Sequence, residues 1–226
     1  MKQVFYLLFG AIVLLGTTCL QSCTENNDYY YNSVNFPNAL VTIKTNPADG
    51  NVFFQLDDST TILPTNIKTS PYGNKEVRAL TNFQIAQGQS GHYSKCAYVN
   101  WVDTILTKNM AKNLNDQNNA VYGNDPIEII KDWTTLVEDG YLTLRFSTYF
   151  GNGNKHIINL VSTNNPYEIE LHHNAAGDTR GVMRDGLIAF RLNDLPDTKG
   201  KVVDLTLKWQ SFDGVKSATF KYCTRK

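Results

Sequence analysis

Apolar and polar residues alternate with a period of two through most of this chain, a pattern that predicts strands rather than helices. Residues 39–44 (ALVTIK) form a β-rich run that stops at the turn Pro47-Ala48-Asp49-Gly50. Residues 52–56 follow, then Asp57-Asp58-Ser59 as a second turn, and 60–63 end at Pro64, which has no N–H for a ladder. Past the turn Ser70-Pro71-Tyr72-Gly73-Asn74, a long strand is predicted over 76–85. Gly88-Gln89-Ser90-Gly91 turns it back into 93–105, where Ala97, Val99 and Trp101 share one face. Closely spaced strands with tight turns predict a small barrel.

The second half alternates as cleanly. Leu142, Leu144 and Phe146 face one way, with Thr143, Arg145 and Ser147 opposite, and Gly151-Asn152-Gly153-Asn154 predicts a hairpin. Strands are predicted over 157–161, 167–171 and, after an Asp185-Gly186 turn, 187–192. Val203, Leu205, Leu207 and Trp209 share a face before Asp213-Gly214 turns into 218–222. This pattern predicts an antiparallel β-sandwich. Between the halves, residues 109–122 are Asn-rich and predict a loop. Asp125 as N-cap, Pro126 at N1 and apolar residues at 127, 130, 133 and 137 predict one short helix ending near Asp139-Gly140. The fold class is therefore mainly β, a barrel followed by a sandwich with one short helix between them.

The apolar run near the N-terminus has a different meaning. Lys2 precedes residues 4–15, about 12 residues long, whereas a membrane span needs about 20. Leu20-Gln21-Ser22-Cys23 then matches a bacterial lipoprotein signal, with cleavage before Cys23 and a lipid on its sulfur. An ordinary cleaved signal with a chance cysteine is the competing reading. Residues 1–22 are thus read as signal peptide and 23–35 as a polar tether. The barrel takes 36–108, a linker 109–124, and the sandwich with its leading helix 125–226. The mild acidity of Glu25 and Asp28 resembles a surface-export signal, or is simply a solvated linker. The expected place is the cell envelope, as an outer-membrane lipoprotein held to the membrane by its lipid.

The 226 residues carry 21 basic and 21 acidic side chains, and no Lys/Arg cluster breaks that balance, which argues against a nucleic-acid partner. Cys96 and Cys223 remain after processing and either pair or stay as two separate thiols, since connectivity cannot be read from spacing.

Few residues suggest chemistry. Glu168, Glu170 and His172 share a strand face at i, i+2, i+4, and two carboxylates with an imidazole can bind zinc or move protons. A solvated strand face gives the same pattern. His172 and His173 are adjacent and point to opposite faces. Ser90 lies in Gly88-Gln89-Ser90-Gly91-His92, where His92 replaces the second glycine of a nucleophile elbow. Gly151-Asn152-Gly153-Asn154-Lys155 lacks the Ser/Thr and helix of a phosphate loop. Residues 113–119 and 194–197 offer oxygen ligands without calcium-loop spacing. Trp101, Trp133 and Trp209 fall on apolar faces and are read as core. Tyr72, Tyr98, Tyr149 and Tyr167 are the aromatic residues expected at the surface, where they could stack on sugars or fill a partner's pockets. No catalytic set, metal site or cofactor is assigned.

The chain as a whole resembles the NigD-like lipoproteins. Pro37-Asn38-Ala39-Leu40-Val41-Thr42, Phe54-Gln55-Leu56-Asp57-Asp58 and Ser70-Pro71-Tyr72-Gly73-Asn74-Lys75-Glu76-Val77-Arg78 carry the likeness in the first half. Val99-Asn100-Trp101-Val102-Asp103, Tyr122-Gly123-Asn124-Asp125-Pro126, Glu138-Asp139-Gly140-Tyr141-Leu142 and Asp194-Leu195-Pro196-Asp197-Thr198 continue it. The resemblance implies an N-terminal OB-like barrel and a C-terminal β-sandwich. The segment between Leu63 and Glu76 shows no OB-type helix. The family takes its name from a protein encoded beside a bacteriocin, which implies an immunity role, and it brings no catalytic or ligand residues. The expectation is a non-enzymatic, lipid-anchored envelope protein that acts by binding another protein or an envelope ligand. The alternatives are a surface glycan-binding lipoprotein and, third, a metal-dependent hydrolase built on Glu168, Glu170 and His172.

Overall fold

The computed structural model describes residues 33–225. Cys23 and the signal lie outside the described residues.

The first half closes into a barrel. β1 (Ala39–Thr45), β2 (Val52–Gln55), β3 (Thr61–Pro64), β4 (Val77–Ala86) and β5 (Lys95–Thr104) join in the order β1-β2-β3-β5-β4, and β4 pairs back on β1. All pairings are antiparallel except β3 with β5. Val41, Ile43, Val52, Phe54, Ile62, Ala79, Ala97 and Val99 fill the interior. The β5 face read from Ala97 and Val99 points into this core, while β1 is buried on both faces over residues 39–43. Pro64 is the last residue of β3, where a missing N–H costs least. No helix lies between β3 and β4, as the bare stretch after Leu63 implied. β4 shifts register between Asn82 and Phe83. There the Asn82 amide donates to the carbonyls of Phe36 (2.7 Å) and Ser33 (3.2 Å), pinning the incoming chain to the barrel.

The second half is a two-sheet sandwich. One sheet holds β6 (Leu106–Asn109), β12 (Val182–Arg191), β9 (Tyr141–Phe150) and β7 (Glu128–Ile130) in that order, with β8 (Leu136–Glu138) also on β9. The other runs β10 (Ile157–Ser162), β11 (Glu168–Asn174), β13 (Val203–Ser211), β14 (Gly214–Tyr222). Leu142, Leu144, Phe146, Ile188 and Phe190 from the first meet Leu160, Ile169, Leu171, Leu205, Leu207 and Trp209 from the second.

Five expectations need correction. The helix expected from Asp125 is absent, and β7, a turn and β8 stand in its place. The N–H groups of Asp125 and Ile127 donate across to His173 O (2.8 Å) and Gln210 O (3.0 Å), so the segment ties to the opposite sheet instead of bonding to itself. The short helix that exists, α1 (Asn118–Tyr122), lies in the stretch read as a loop, just after a 3₁₀ turn at Asn115–Gln117. The sandwich is not wholly antiparallel, because β6 runs parallel to β12 and β11 parallel to β13. Two turns are also reassigned. The glycines at 151 and 153 lead from one sheet to the other, since β9 pairs β12 and β10 pairs β11. Asp185-Gly186 sits inside β12, where Gly186 lies opposite Phe146. A Cβ at 186 would meet that ring at 2.5 Å, so glycine makes room for an aromatic side chain in the core.

Candidate functional site

The two halves meet through a buried polar junction. Arg78 of β4 is fully buried and donates to Thr42 Oγ1 (3.0 Å), to Glu138 Oε1 on β8 (2.8 Å) and to Thr143 Oγ1 on β9 (3.4 Å). Its guanidinium also lies 5.6 Å from the centre of the Tyr141 ring. Burial pushes the Glu138 carboxyl above its ordinary value, against the pull of Arg78. Lys44 pairs with Asp139 at 2.7 Å. Near the C-terminus Arg225 grips both oxygens of Glu76 (2.8 and 2.9 Å), and Tyr141 donates to the same carboxylate at 2.9 Å. Burial works to raise Glu76, but Arg225 and Tyr141 outweigh it and hold the carboxyl below its ordinary range. Leu40, Ile105 and Ala189, with Leu80, Leu136 and Leu187 packed on them, add an apolar seam. These contacts tie barrel and sandwich to each other at many points, so the surface they share has a defined shape.

Beside that seam is a cleft of about 520 Å³. Its apolar lining is Pro37, Leu80, Ile105, Leu106 and Leu187, and Asp103, Asp132, Trp133, Arg145 and Asp185 line it with charged and aromatic side chains. Trp133 is 44% exposed, which reverses the core reading given by helical spacing. The turn that presents it is tightly bonded: Asp132 Oδ1 accepts from the Thr134 N–H (2.9 Å) and hydroxyl (2.7 Å), and Thr135 Oγ1 donates to Ile130 O at 2.6 Å. Arg145 bridges Asp132 (2.7 Å) and Asp185 (2.5 Å). Burial tends to raise Asp132, yet the bonds from Thr134 and Arg145 prevail and lower it. Leu106, 65% exposed at the sheet edge, and Leu187 also line a second groove of about 540 Å³. Phe146, Phe150, His156, Ile158 and Ile188 form that groove's wall. The two hollows therefore run together around the edge strand β6.

The residues singled out for chemistry are dispersed. Glu168 pairs with Lys208 at 2.9 Å. His172 is buried under α1, with Nδ1 3.1 Å from Gly123 O and Nε2 3.6 Å from Glu170. One of the three is thus spent on an ion pair, and among the described residues no three His, Cys, Asp or Glu converge as a metal site. Ser90 caps a turn through its carbonyl, which accepts from Tyr93 N at 3.1 Å. Asn113 and Asn118 turn their amide oxygens onto nearby donors, the N–H groups of Asn115 (2.8 Å) and Leu114 (2.7 Å). Asp197 accepts from Lys199 N at 2.8 Å. Cys96 and Cys223 are both free thiols, and Cys96 is buried in the barrel. Of the tyrosines, Tyr72 packs on the barrel core, Tyr149 lies edge-on to Phe212, Tyr167 faces Tyr222, and Tyr98 is the exposed one. None lines the cleft.

A buried cluster was not visible in the sequence. His156 Nδ1 lies 2.9 Å from His173 Nε2, and His156 Nε2 lies 3.5 Å from Asp178 Oδ2. Asp178 Oδ1 accepts from the N–H groups of Gly151 (2.8 Å) and Asn152 (2.9 Å). Burial lowers the His173 pKa, and the neighbouring His156 adds to the effect. Burial alone would raise Asp178, but the two N–H groups and His156 bring it down. This cluster clamps the 151–156 segment to the 175–181 loop. Its members come from three separate stretches of chain, so no local spacing announced it.

The comparisons agree with this architecture. A family model described as the NigD-like N-terminal OB domain matches residues 40–105, and one described as the NigD-like C-terminal beta sandwich domain matches 109–222. A protein of Parabacteroides distasonis, described as toxin-related, is 34% identical over 82% of this chain and 92% of its own, with a TM-score of 0.69. A NigD-like immunity protein of Bacteroides caccae shares the fold at 18% identity, covering 82% of this chain and 96% of its own, with a TM-score of 0.58. A lipoprotein of Bacteroides fragilis does so at 12% identity over 83% and 99%, with a TM-score of 0.53. No curated protein matches. Among the described residues no helix is long and apolar enough to cross a membrane. With an OB-type barrel and a β-sandwich in the matching order and at the matching positions, the chain belongs to the NigD-like family.

Proposed function

We propose that this protein is a non-enzymatic, lipid-anchored protein of the cell envelope that works by binding another polypeptide. One observation carries the reading: two domains held together by buried ion pairs form at their junction a cleft lined by apolar side chains, charged side chains and an exposed Trp133. An apolar centre with polar groups around it is how protein interfaces are built, and an exposed tryptophan is the usual anchor. Cys23 carries the lipid in this reading, which places the binding domains in water beside an outer membrane. Bacteriocin immunity is the specific form, in which the anchored protein intercepts a toxin before it acts on the membrane. The toxin-related and immunity names of two relatives suit that form.

The test is a pull-down from envelope extract with the full chain, paired with a glycan array. Recovery of a polypeptide that Trp133→Ala no longer captures supports the reading. Tight glycan binding without any polypeptide partner would replace it with the surface glycan-binding alternative. Mass spectrometry of Cys23 tests the anchor, since a bare thiol there removes the membrane from the account.

A further inference from the structure

The lining of the junction cleft has an unbalanced charge. Asp103, Asp132 and Asp185 face one guanidinium, Arg145. That guanidinium is already engaged, with Asp132 at 2.7 Å and Asp185 at 2.5 Å. Asp103 is exposed at the end of β5, and among the described residues its carboxylate makes no hydrogen bond or ion pair, although its backbone pairs with Leu80. The lining therefore carries surplus negative charge together with the exposed Trp133 and Leu106. Such a lining repels anionic lipid and gains little from a neutral sugar. It attracts ammonium and guanidinium groups, and an indole face adds a cation–π contact.

Position points the same way. Pro37 lines the cleft, and the described chain starts just before it at Ser33. About 14 residues separate Cys23 from Pro37, a reach of at most roughly 50 Å when extended. If Cys23 carries a lipid, the cleft stays within that reach of the bilayer.

We infer that the junction cleft binds a basic polypeptide segment at the membrane surface. Lys or Arg side chains of the segment meet Asp103 and the outer oxygen of Asp185, one of them lies over Trp133, and an apolar side chain enters the hollow between Leu106 and Leu187. This assignment rests on the reading of the protein as a polypeptide binder, and it names the chemistry of the partner.

The experiment titrates the purified full chain with a short peptide alternating Arg and Leu, and with its Glu-for-Arg counterpart, following tryptophan fluorescence. The expected result is saturable binding of the basic peptide only, weakened as salt is raised. Trp133→Ala and Asp103→Asn should each weaken it about tenfold, with circular dichroism unchanged because both side chains are exposed, and Tyr98→Ala should leave it intact. Equal binding of the acidic peptide, or undiminished binding by both cleft variants, overturns the inference. If the envelope pull-down still recovers a polypeptide in that case, the binding role survives and the basic partner falls. If it recovers none, both fall.

Discussion

Arg78 in the barrel donates to Glu138 in the sandwich at 2.8 Å while its own side chain is wholly shielded from water. A guanidinium out of water is tolerable only with partners on several sides, and here they come from β1, β8 and β9 together. The bond thus joins three elements across the domain boundary, and its disruption should be felt in both domains. Arg78→Ala should lose about 3–5 kcal/mol, the cost of leaving a buried partner uncompensated. Arg78→Lys should recover part of that, because an ammonium keeps the charge but lacks the fork. Urea denaturation read separately by fluorescence and far-UV circular dichroism checks both, and transitions that no longer coincide would show the domains uncoupled.

Trp133 is expected to behave in the opposite way. Its side chain is 44% exposed on a turn held by Asp132, Thr134 and Thr135. Trp133→Ala should change stability by no more than about 0.5 kcal/mol. A melting temperature equal to wild type alongside loss of captured partner would separate binding from folding, and a large loss of stability would contradict the surface placement.

Gly186 leaves no room for a side chain. Gly186→Val must displace the Phe146 ring, which approaches to 2.5 Å of the position a Cβ would take. Overpacking of this kind costs about 1–3 kcal/mol. Adding Phe146→Leu should return part of that loss, and the four-member mutant cycle measures the coupling.

Acid should weaken the junction through Glu76. Its folded pKa lies below the ordinary value of 4.5, so the unfolded chain takes up the proton first as pH drops. The stability from this group is complete above the unfolded value and disappears as pH falls through the folded one. Chemical denaturation at pH 7, 5 and 3 should show a smaller acid loss for Glu76→Gln than for wild type. Asp178 is lowered too, so Asp178→Asn should flatten the same limb independently.

The two cysteines supply a direct chemical check. Cys96 is buried, with its thiol donating to Ala86 O at 3.2 Å, while Cys223 is partly open. Of these two thiols, Cys223 should react promptly with a disulfide reagent and Cys96 only on unfolding. Absence of both signals until reduction would mean a disulfide, and with it a different packing of the chain end.

The strand-rich runs in β1, β5, β9 and β13 determined the mainly β class before any contact was known, although β13 alternates cleanly in burial whereas β1 and most of β9 are covered on both faces. The run ending at Cys23, read as a lipoprotein signal, is a local pattern of a few consecutive residues and lies outside the described residues. The segment after Asp125 was misread because Ile127, Ile130, Trp133 and Val137 suit a helix by spacing, while the N–H groups of Asp125 and Ile127 bond to the distant residues His173 and Gln210. The parallel pairing of β6 with β12 and the true place of Gly186 depend on neighbours far along the chain. The cleft was hidden for the same reason. Pro37, Asp103, Trp133, Arg145 and Asp185 share no motif and meet only when the barrel docks on the sandwich. Local pattern settles which segments are strands, but which distant residues become neighbours is decided by packing and buried charge, and the junction cleft exists only after that choice.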